Sequence, residues 1–307
     1  MKRISVYMFI GLILFNAACN KTATNPGTHN PFLLFPAGRS FISGSDVWML
    51  INGAPVSPEV IDDHCGGFWY KANLLKSQNS ETILVRYTRK KGTLQLFHEV
   101  DVDTTQWLAE VYYIDCLNDS IVWKAAELTT GCTTRLEKAR QIHQFMVHNI
   151  SLKLDYHDSF LDKASRTLTL GYGTCMNFSR LYVALCRAAH VPARTVWGIV
   201  YSHQNEPVYD YHHQWAETLD DEGYWHPMDF NYTTFFDLND IRYLDLLYAP
   251  EDNPLLLNRE STPVELGNIT YFYDYPITLT GRLGFELVED ARPDSMVIQY
   301  SYRYSIK

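Results

Sequence analysis

A chain of 307 residues, 46% apolar and 20% charged, has enough apolar side chain for a sizeable buried core and is neither disordered nor fibrous in composition. Its net charge of -9 argues against a nucleic-acid partner, because phosphate binding rests on clustered Lys and Arg. The basic run Arg89-Lys90-Lys91 precedes Gly92 between two strand-like segments and reads as a solvated hairpin turn.

The first 18 residues carry an export signal. Lys2 and Arg3 are followed by an apolar run from Ile4 to Phe15, then by the small residues Ala17 and Ala18. The run is too short for a permanent membrane span. Cys19 after Ala17-Ala18 resembles the lipobox of bacterial lipoproteins, with Asn16 where that pattern usually has Leu. The resemblance implies a lipidated Cys19 and a membrane partner reached through that anchor. Residues 19–30, with Thr, Asn, Pro and Gly and no apolar period, form the expected tether. The expected location is the bacterial cell envelope, facing the periplasm.

Residues 31–116 read as an N-terminal β-rich module. Val47 to Ile51, Ile83 to Thr88 and Thr93 to Val100 are rich in β-branched and aromatic residues, and Arg89 to Gly92 is the turn of a hairpin between the last two. With Cys19 acylated and Cys175 needed as a thiolate, Cys65, Cys116, Cys132 and Cys186 remain. A Cys116–Cys132 bridge and four buried thiols are both open at this point.

Residues 117–250 have a different character. Ile121 to Leu128 predicts a short helix ended by Gly131, and Thr134 with Glu137 predicts a capping box opening a helix that runs to about Asn149. His143 and His148 on that helix read as packing or solvent residues. Cys175 opens a further helix, with Phe178, Leu181, Tyr182, Leu185 and Ala189 on its buried face, closed by Pro192. Three strands follow: Arg194 to Tyr201, Gln214 to Leu219 and Tyr224 to Phe230, the last two joined by the polar turn Asp220-Asp221-Glu222-Gly223. Asp237 to Ala249 reads as a short helix stopped by Pro250. Residues 251–307 return to strands, and Met296 to Ile306 alternates cleanly. The fold class is therefore α+β: a nucleophile helix packed on an antiparallel sheet, flanked by an N-terminal β-rich module and a C-terminal β-strand extension.

Three stretches carry chemistry. A cysteine attacks only as a thiolate, and Gly171-Tyr172-Gly173-Thr174 supplies a turn that sets Cys175 at a helix start, where unpaired N–H groups favour a negative sulfur. His213 is the general base and acid. On a strand it shares a face with Trp215 and Glu217, while His212 points the other way. Asp229 is placed to hold the second imidazole nitrogen, with Trp225 and Pro227 on the same face as shields; Trp215 is a shield on the histidine strand. The backbone N–H of Cys175 is the first oxyanion donor, and Tyr172 is the candidate for the second. No Cys-x-x-Cys or His-Glu-x-x-His spacing points to a metal, and no cofactor is implied.

These residues resemble the transglutaminase-like superfamily of cysteine enzymes. Gly173-Thr174-Cys175 followed by a helix and Val191-Pro192-Ala193-Arg194 is similar to its nucleophile motif, His213-Gln214-Trp215-Ala216-Glu217 to its histidine motif with Gln214 as the departure, and Trp225-His226-Pro227-Met228-Asp229 to its aspartate motif. The resemblance spans about Asn118 to Tyr232 and extends to Ala164–Leu168. It implies a papain-like core in which Cys175, His213 and Asp229 form a triad and attack an amide carbonyl of a peptide or protein substrate to give a thioester. Resolution by water, as in a protease or amidase, is the first expectation. A protein-glutamine transglutaminase that cross-links or deamidates, and a peptide N-glycanase-like amidase, are the enzyme alternatives. A binding lipoprotein with a vestigial triad is the alternative of another class.

Overall fold

Three of the four helices begin where the sequence supplies a capping side chain, and the third, which starts after Lys163, does not. In the computed structural model, which describes residues 32–37, 47–62, 65, 67–73, 81–90, 96–99, 103–153, 162–200, 212–230, 243–248, 262–266, 269–273, 277–279, 284–288 and 295–306, four helices lie in sequence between the first and second strands of the central sheet. Helix α1 (Asp119–Leu128) starts at Asn118, whose side chain accepts the Ser120 N–H at 3.0 Å. Helix α2 (Arg135–Asn149) starts with the expected capping box: the Thr134 hydroxyl accepts the Glu137 N–H, and Glu137 accepts the Thr134 N–H at 3.1 Å. It buries Ala139, Ile142, His143 and Met146, so His143 lies on the packed stripe, while His148 is exposed. Helix α3 (Ala164–Leu170) stops at Gly171, whose φ of 70° is the left-handed conformation a helix end commonly requires.

Helix α4 (Cys175–Ala188) is buried on every side from Asn177 to Arg187. It packs against α1, α2 and α3 on one side and a sheet on the other, so its apolar residues Phe178, Leu181, Val183, Ala184 and Leu185 form the centre of the core. Arg187 is satisfied within this apolar setting by the carbonyls of Ala193 and Ala109, at 2.7–3.0 Å. Cys186 lies on the same helix, fully buried, and burial pushes its thiol up. Cys116 and Cys132 are both thiols, with no bridge between them, and Cys116 belongs to the core.

The sheet beside α4 is antiparallel throughout. It consists of β7 (Phe97–His98), β10 (Ala193–Val200), β11 (His212–Leu219), β12 (Tyr224–Met228) and β13 (Tyr243–Tyr248), in the order β13-β10-β11-β12-β7. The turn between β11 and β12 is the polar one expected, held by Asp220, whose carboxylate accepts the N–H groups of Glu222 and Tyr224 at 3.0 and 2.7 Å. Gly223 closes it with φ 91°, and a Cβ there would lie 2.9 Å from the Glu99 carbonyl.

Two expectations are corrected here. Within Asp237 to Ala249, residues 243–248 are strand β13 rather than helix: Tyr243, Leu244 and the following residues close the open edge of β10, with Leu246 bulged between Gly198↔Asp245 and Trp197↔Leu247. A sheet edge next to a Tyr- and Leu-rich run outweighs its helix propensity. The hairpin expected at Arg89–Gly92 does not pair its two strands. Strand β6 (Glu81–Lys90) lies between β2 (Val47–Ile51) and β18 (Ser295–Ile306), while β7 pairs with β12.

The remaining strands come from both ends of the chain. One sheet holds β1 (Phe32–Ala37), β4 (Glu59–Asp62), β5 (Phe68–Asn73), β14 (Thr262–Leu266) and β15 (Ile269–Tyr273) in the order β14-β15-β1-β5-β4. The other runs β16-β18-β6-β2-β3, with β3 at Ala54–Val56, β16 at Ile277–Leu279 and β17 (Gly284–Val288) also on β18. Leu34 is thus in register with Phe272, and Ile83 with Tyr302. The signal segment, Cys19, the tether and the Lys91-Gly92 part of the basic run lie outside the described residues. No helix among the described residues is long and apolar enough to cross a membrane.

Candidate active site

The nucleophile's position follows from its neighbours in sequence. After Gly171, strand β9 (Tyr172–Gly173) pairs in parallel with β8 (Ser151–Leu152), and the Lys153 N–H donates to the Gly173 carbonyl at 2.9 Å. A Cβ on Gly173 would lie 2.5 Å from the Cβ of Asn177, so only glycine lets the helix start this tightly. Asn177 in return caps the turn, accepting from the Thr174 N–H and hydroxyl at 2.9 and 3.0 Å. Cys175 is therefore the first residue of α4, half-buried, as the sequence led us to expect.

His213 and Asp229 come from adjacent strands. The Nε2 of His213 lies 2.7 Å from Oδ2 of Asp229, and the two residues are 8% and 1% exposed. This leaves Nδ1 for Cys175, with which His213 makes a further side-chain hydrogen bond. The backbone N–H groups of Gln214 and Met176 also donate to the Cys175 sulfur. Burial opposes a negative sulfur, yet His213 and these two donors together hold the thiol below its ordinary value. Burial likewise opposes a charged imidazole, but the Asp229 carboxylate and the Cys175 sulfur raise His213 to about 10. Both shifts run in the direction of a thiolate facing an imidazolium.

Aromatic rings surround this pair. Trp215 lies with its ring centre 6.2 Å from that of His213, and Phe230 lies at 5.9 Å while stacking on Phe178 at 4.0 Å. Trp225 is placed differently. Its ring is 3.8 Å from the Arg194 guanidinium, and its indole N–H donates to Glu99 at 2.9 Å. Arg194 in turn donates twice to Glu217, at 3.1 and 2.9 Å, and once to the Cys65 carbonyl at 2.8 Å, with the Trp107 ring, edge-on to Trp225, at 5.4 Å. Tyr172 is half-buried three residues before Cys175, with the Lys153 ammonium 4.6 Å from its ring centre.

Sequence reasoning missed the backbone of Gln214 and Met176, Phe230 and the capping role of Asn177. An Asn at the third helical position after Thr174 is a readable capping signal; backbone donors leave no mark in a sequence. Among the described residues, no group of three or more His, Cys, Asp or Glu side chains gathers where it could hold a metal ion. An open hollow of about 390 Å³ lined by Asn118, Asp162, Lys163 and Arg166 contains none of the three residues.

A helix presenting a cysteine at its start, packed on an antiparallel sheet presenting a histidine, defines an α+β core of the papain-like class. Residues 124–230 match the model of the transglutaminase-like superfamily, and this stretch is a transglutaminase-like domain. No curated protein matches the chain. Several solved structures are distantly similar. A candidate cysteine protease from Cytophaga hutchinsonii is 17% identical, with 80% of this chain and 93% of that chain covered and a TM-score of 0.46. The periplasmic domain of TgpA from Pseudomonas aeruginosa is 15% identical over 67% and 90% of the two chains, with a TM-score of 0.35 in its ethylmercury-bound form. A candidate protease from Parabacteroides distasonis is 10% identical over 86% and 64%, with a TM-score of 0.29.

Proposed function

We propose that this protein is a cysteine-nucleophile acyl-transfer enzyme that hydrolyses amide bonds of peptides or proteins through a thioester on Cys175. The observation that carries this reading is the chain of contacts from Cys175 to His213 to Asp229, with His213 Nε2 2.7 Å from Asp229.

The Cys175 thiolate attacks the amide carbonyl, and the carbonyl electrons move onto oxygen. The backbone N–H of Cys175, at the positive end of α4, stabilises that oxyanion, with Tyr172 as the second donor. Collapse expels the amine, which takes its proton from the His213 imidazolium, and leaves the thioester. Water then gives a proton to His213 and attacks the thioester carbonyl; the acid leaves and the thiolate is restored. Asp229 holds the imidazole by Nε2 throughout and balances its positive charge. Trp215 and Phe230 limit water around the imidazole.

The export signal over residues 1–18 and Cys19 support a location in the bacterial cell envelope, lipid-anchored and facing the periplasm, with residues 19–30 as tether. Residues 117–250 would be the catalytic core, with 31–116 and 251–307 as the flanking β segments.

Alkylation and a peptide library test the reading together. Iodoacetamide is expected to modify Cys175 well below pH 8, and His213→Ala to abolish that reactivity. Incubation of the intact protein with a peptide library and a primary amine, read by mass spectrometry, is expected to give new termini. Amine incorporation or Gln-to-Glu conversion in their place would make it a transglutaminase. Ordinary thiol reactivity, unchanged in His213→Ala, would leave a binding protein with a vestigial triad.

A further inference from the structure

The first two turns of α4 sit on the edge of β11 at residue 214, and two of their side chains meet the backbone there. The pairing of β11 with β12 reaches only as far as Ala216↔Met228, after which the chain leaves toward Asp229. Two residues further along β11, the amide groups of Gln214 on that edge therefore have no strand beside them. In an antiparallel strand the N–H and C=O of one residue point to the same side. Here the Gln214 N–H donates to the Cys175 sulfur, and the Gln214 carbonyl accepts from the Ser179 hydroxyl at 2.9 Å. Cys175 and Ser179 are four residues apart on α4 and so lie one above the other on one helix face. The helix thus supplies one acceptor and one donor where a neighbouring strand would have supplied its backbone.

We propose that Ser179 is a positioning residue for the nucleophile, docking α4 onto the Gln214 backbone so that the Cys175 sulfur stays within hydrogen-bond reach of His213. This rests on the assignment of Cys175 and His213 as nucleophile and base. The Ser179 hydroxyl has one hydrogen and two carbonyls in reach, those of Cys175 at 2.8 Å and Gln214 at 2.9 Å. It joins the peptide that follows the nucleophile to the residue that follows the base. Ser179 is 3% exposed, so water cannot replace the bond. Without it, the Gln214 backbone loses this tie to α4, and both the Gln214 N–H and the adjacent imidazole can move off the sulfur.

The test compares the intact protein with Ser179→Ala and Ser179→Thr, the latter keeping a hydroxyl that can reach the same carbonyls from a helix. The readouts are the pH midpoint of Cys175 alkylation by iodoacetamide, site-resolved by mass spectrometry, and thermal unfolding followed by circular dichroism. Ser179→Ala is expected to stay folded while its alkylation midpoint rises by about one pH unit, roughly a tenfold loss of rate below the midpoint. Ser179→Thr is expected to return the midpoint toward the wild-type value. A folded Ser179→Ala with an unchanged midpoint overturns the inference, as does a folded Ser179→Thr that behaves like Ser179→Ala. A Ser179→Ala chain that unfolds also overturns it, since the hydroxyl would then serve the whole fold. A low wild-type midpoint unmoved by Ser179→Ala defeats this inference alone. An ordinary wild-type midpoint unmoved by His213→Ala defeats the proposed function instead.

Discussion

His213 and Asp229 meet across the end of a strand pair. The imidazole stands on β11 and the carboxylate follows the last residue of β12, with 2.7 Å between Nε2 and Oδ2 and Asp229 only 1% exposed. A carboxylate buried to this degree needs the partner it has, and the partner is thereby fixed in one tautomer when neutral. Asp229→Asn keeps the shape and removes the charge. The expected result is a loss of ~10²–10⁴ in kcat on the peptide substrate with the melting temperature little changed. A variant as active as the parent would remove Asp229 from the triad.

The opposite shifts of Cys175 and His213 give a pH dependence of definite sign. His213 is raised from 6.5 to about 10, so its contribution to stability is complete below 6.5 and is lost as pH rises toward 10. Cys175 is lowered, so its contribution is present above its unfolded value and is lost as pH falls through the folded one. Between those limits the two slopes oppose each other. Cys175→Ser removes the thiolate side and leaves the Asp229 side. Its melting temperature is expected to fall steadily as pH rises above 6.5, whereas that of the parent falls less where the opposing Cys175 slope acts. The alkaline limb of peptide hydrolysis by the parent is expected near 10, where His213 loses the proton it donates to the leaving amine.

Gly173 allows a sharper test of the helix start. A methyl group there meets Asn177 Cβ at 2.5 Å, a distance that demands movement of the cap or of the chain entering α4. Gly173→Ala is expected to cost about 1–3 kcal/mol in urea unfolding. It should also slow Cys175 alkylation at pH 7, because the displaced turn carries the sulfur with it. Gly131 provides the contrast: its φ is 84° but nothing lies within 4 Å of its missing Cβ. Gly131→Ala should show only the cost of backbone strain, with alkylation unaffected.

Local signals were readable where local chemistry decided the outcome. Thr134 and Glu137 state a capping box, and Asp220 to Gly223 a turn, and each stands where it was expected, whereas helix α3 ahead of Gly171 was not expected. The core's α+β character followed from the same signals. Pairing between distant segments was not readable. Nothing in Glu81–Lys90 says that its partners are Val47–Ile51 and Ser295–Ile306, because a strand's pattern fixes which face is buried and not which strand lies alongside. Tyr243–Tyr248 failed for a related reason, since its conformation is set by the vacant edge of β10. At the site, the side chains of Cys175, His213 and Asp229 were named from their motifs and the family resemblance, and the structure brings them together. The Gln214 backbone could not, because its role depends on where β12 ends.

Arg194 and Glu217 provide the last test, of how the surrounding shell is held. Their side chains are 1% and 6% exposed, and the guanidinium is enclosed by Trp225 and Trp107 while it reaches the Cys65 carbonyl. Two charges this deep cost much to desolvate, so the pair adds little net stability but is expensive to split. Arg194→Ala leaves Glu217 buried without its partner and is expected to cost about 3–5 kcal/mol in urea unfolding. Replacing both residues, as Arg194→Met with Glu217→Leu, removes the stranded charge and is expected to recover most of that loss. The Cys65 carbonyl would still lose its donor, so recovery should stop short of the parent by about 1–3 kcal/mol. Because Glu217 lies four residues beyond His213 on β11, alkylation of Cys175 in the double variant should stay close to the parent rate. A double variant as unstable as Arg194→Ala would mean that packing against the two tryptophans, and not the buried charge, is what Arg194 contributes.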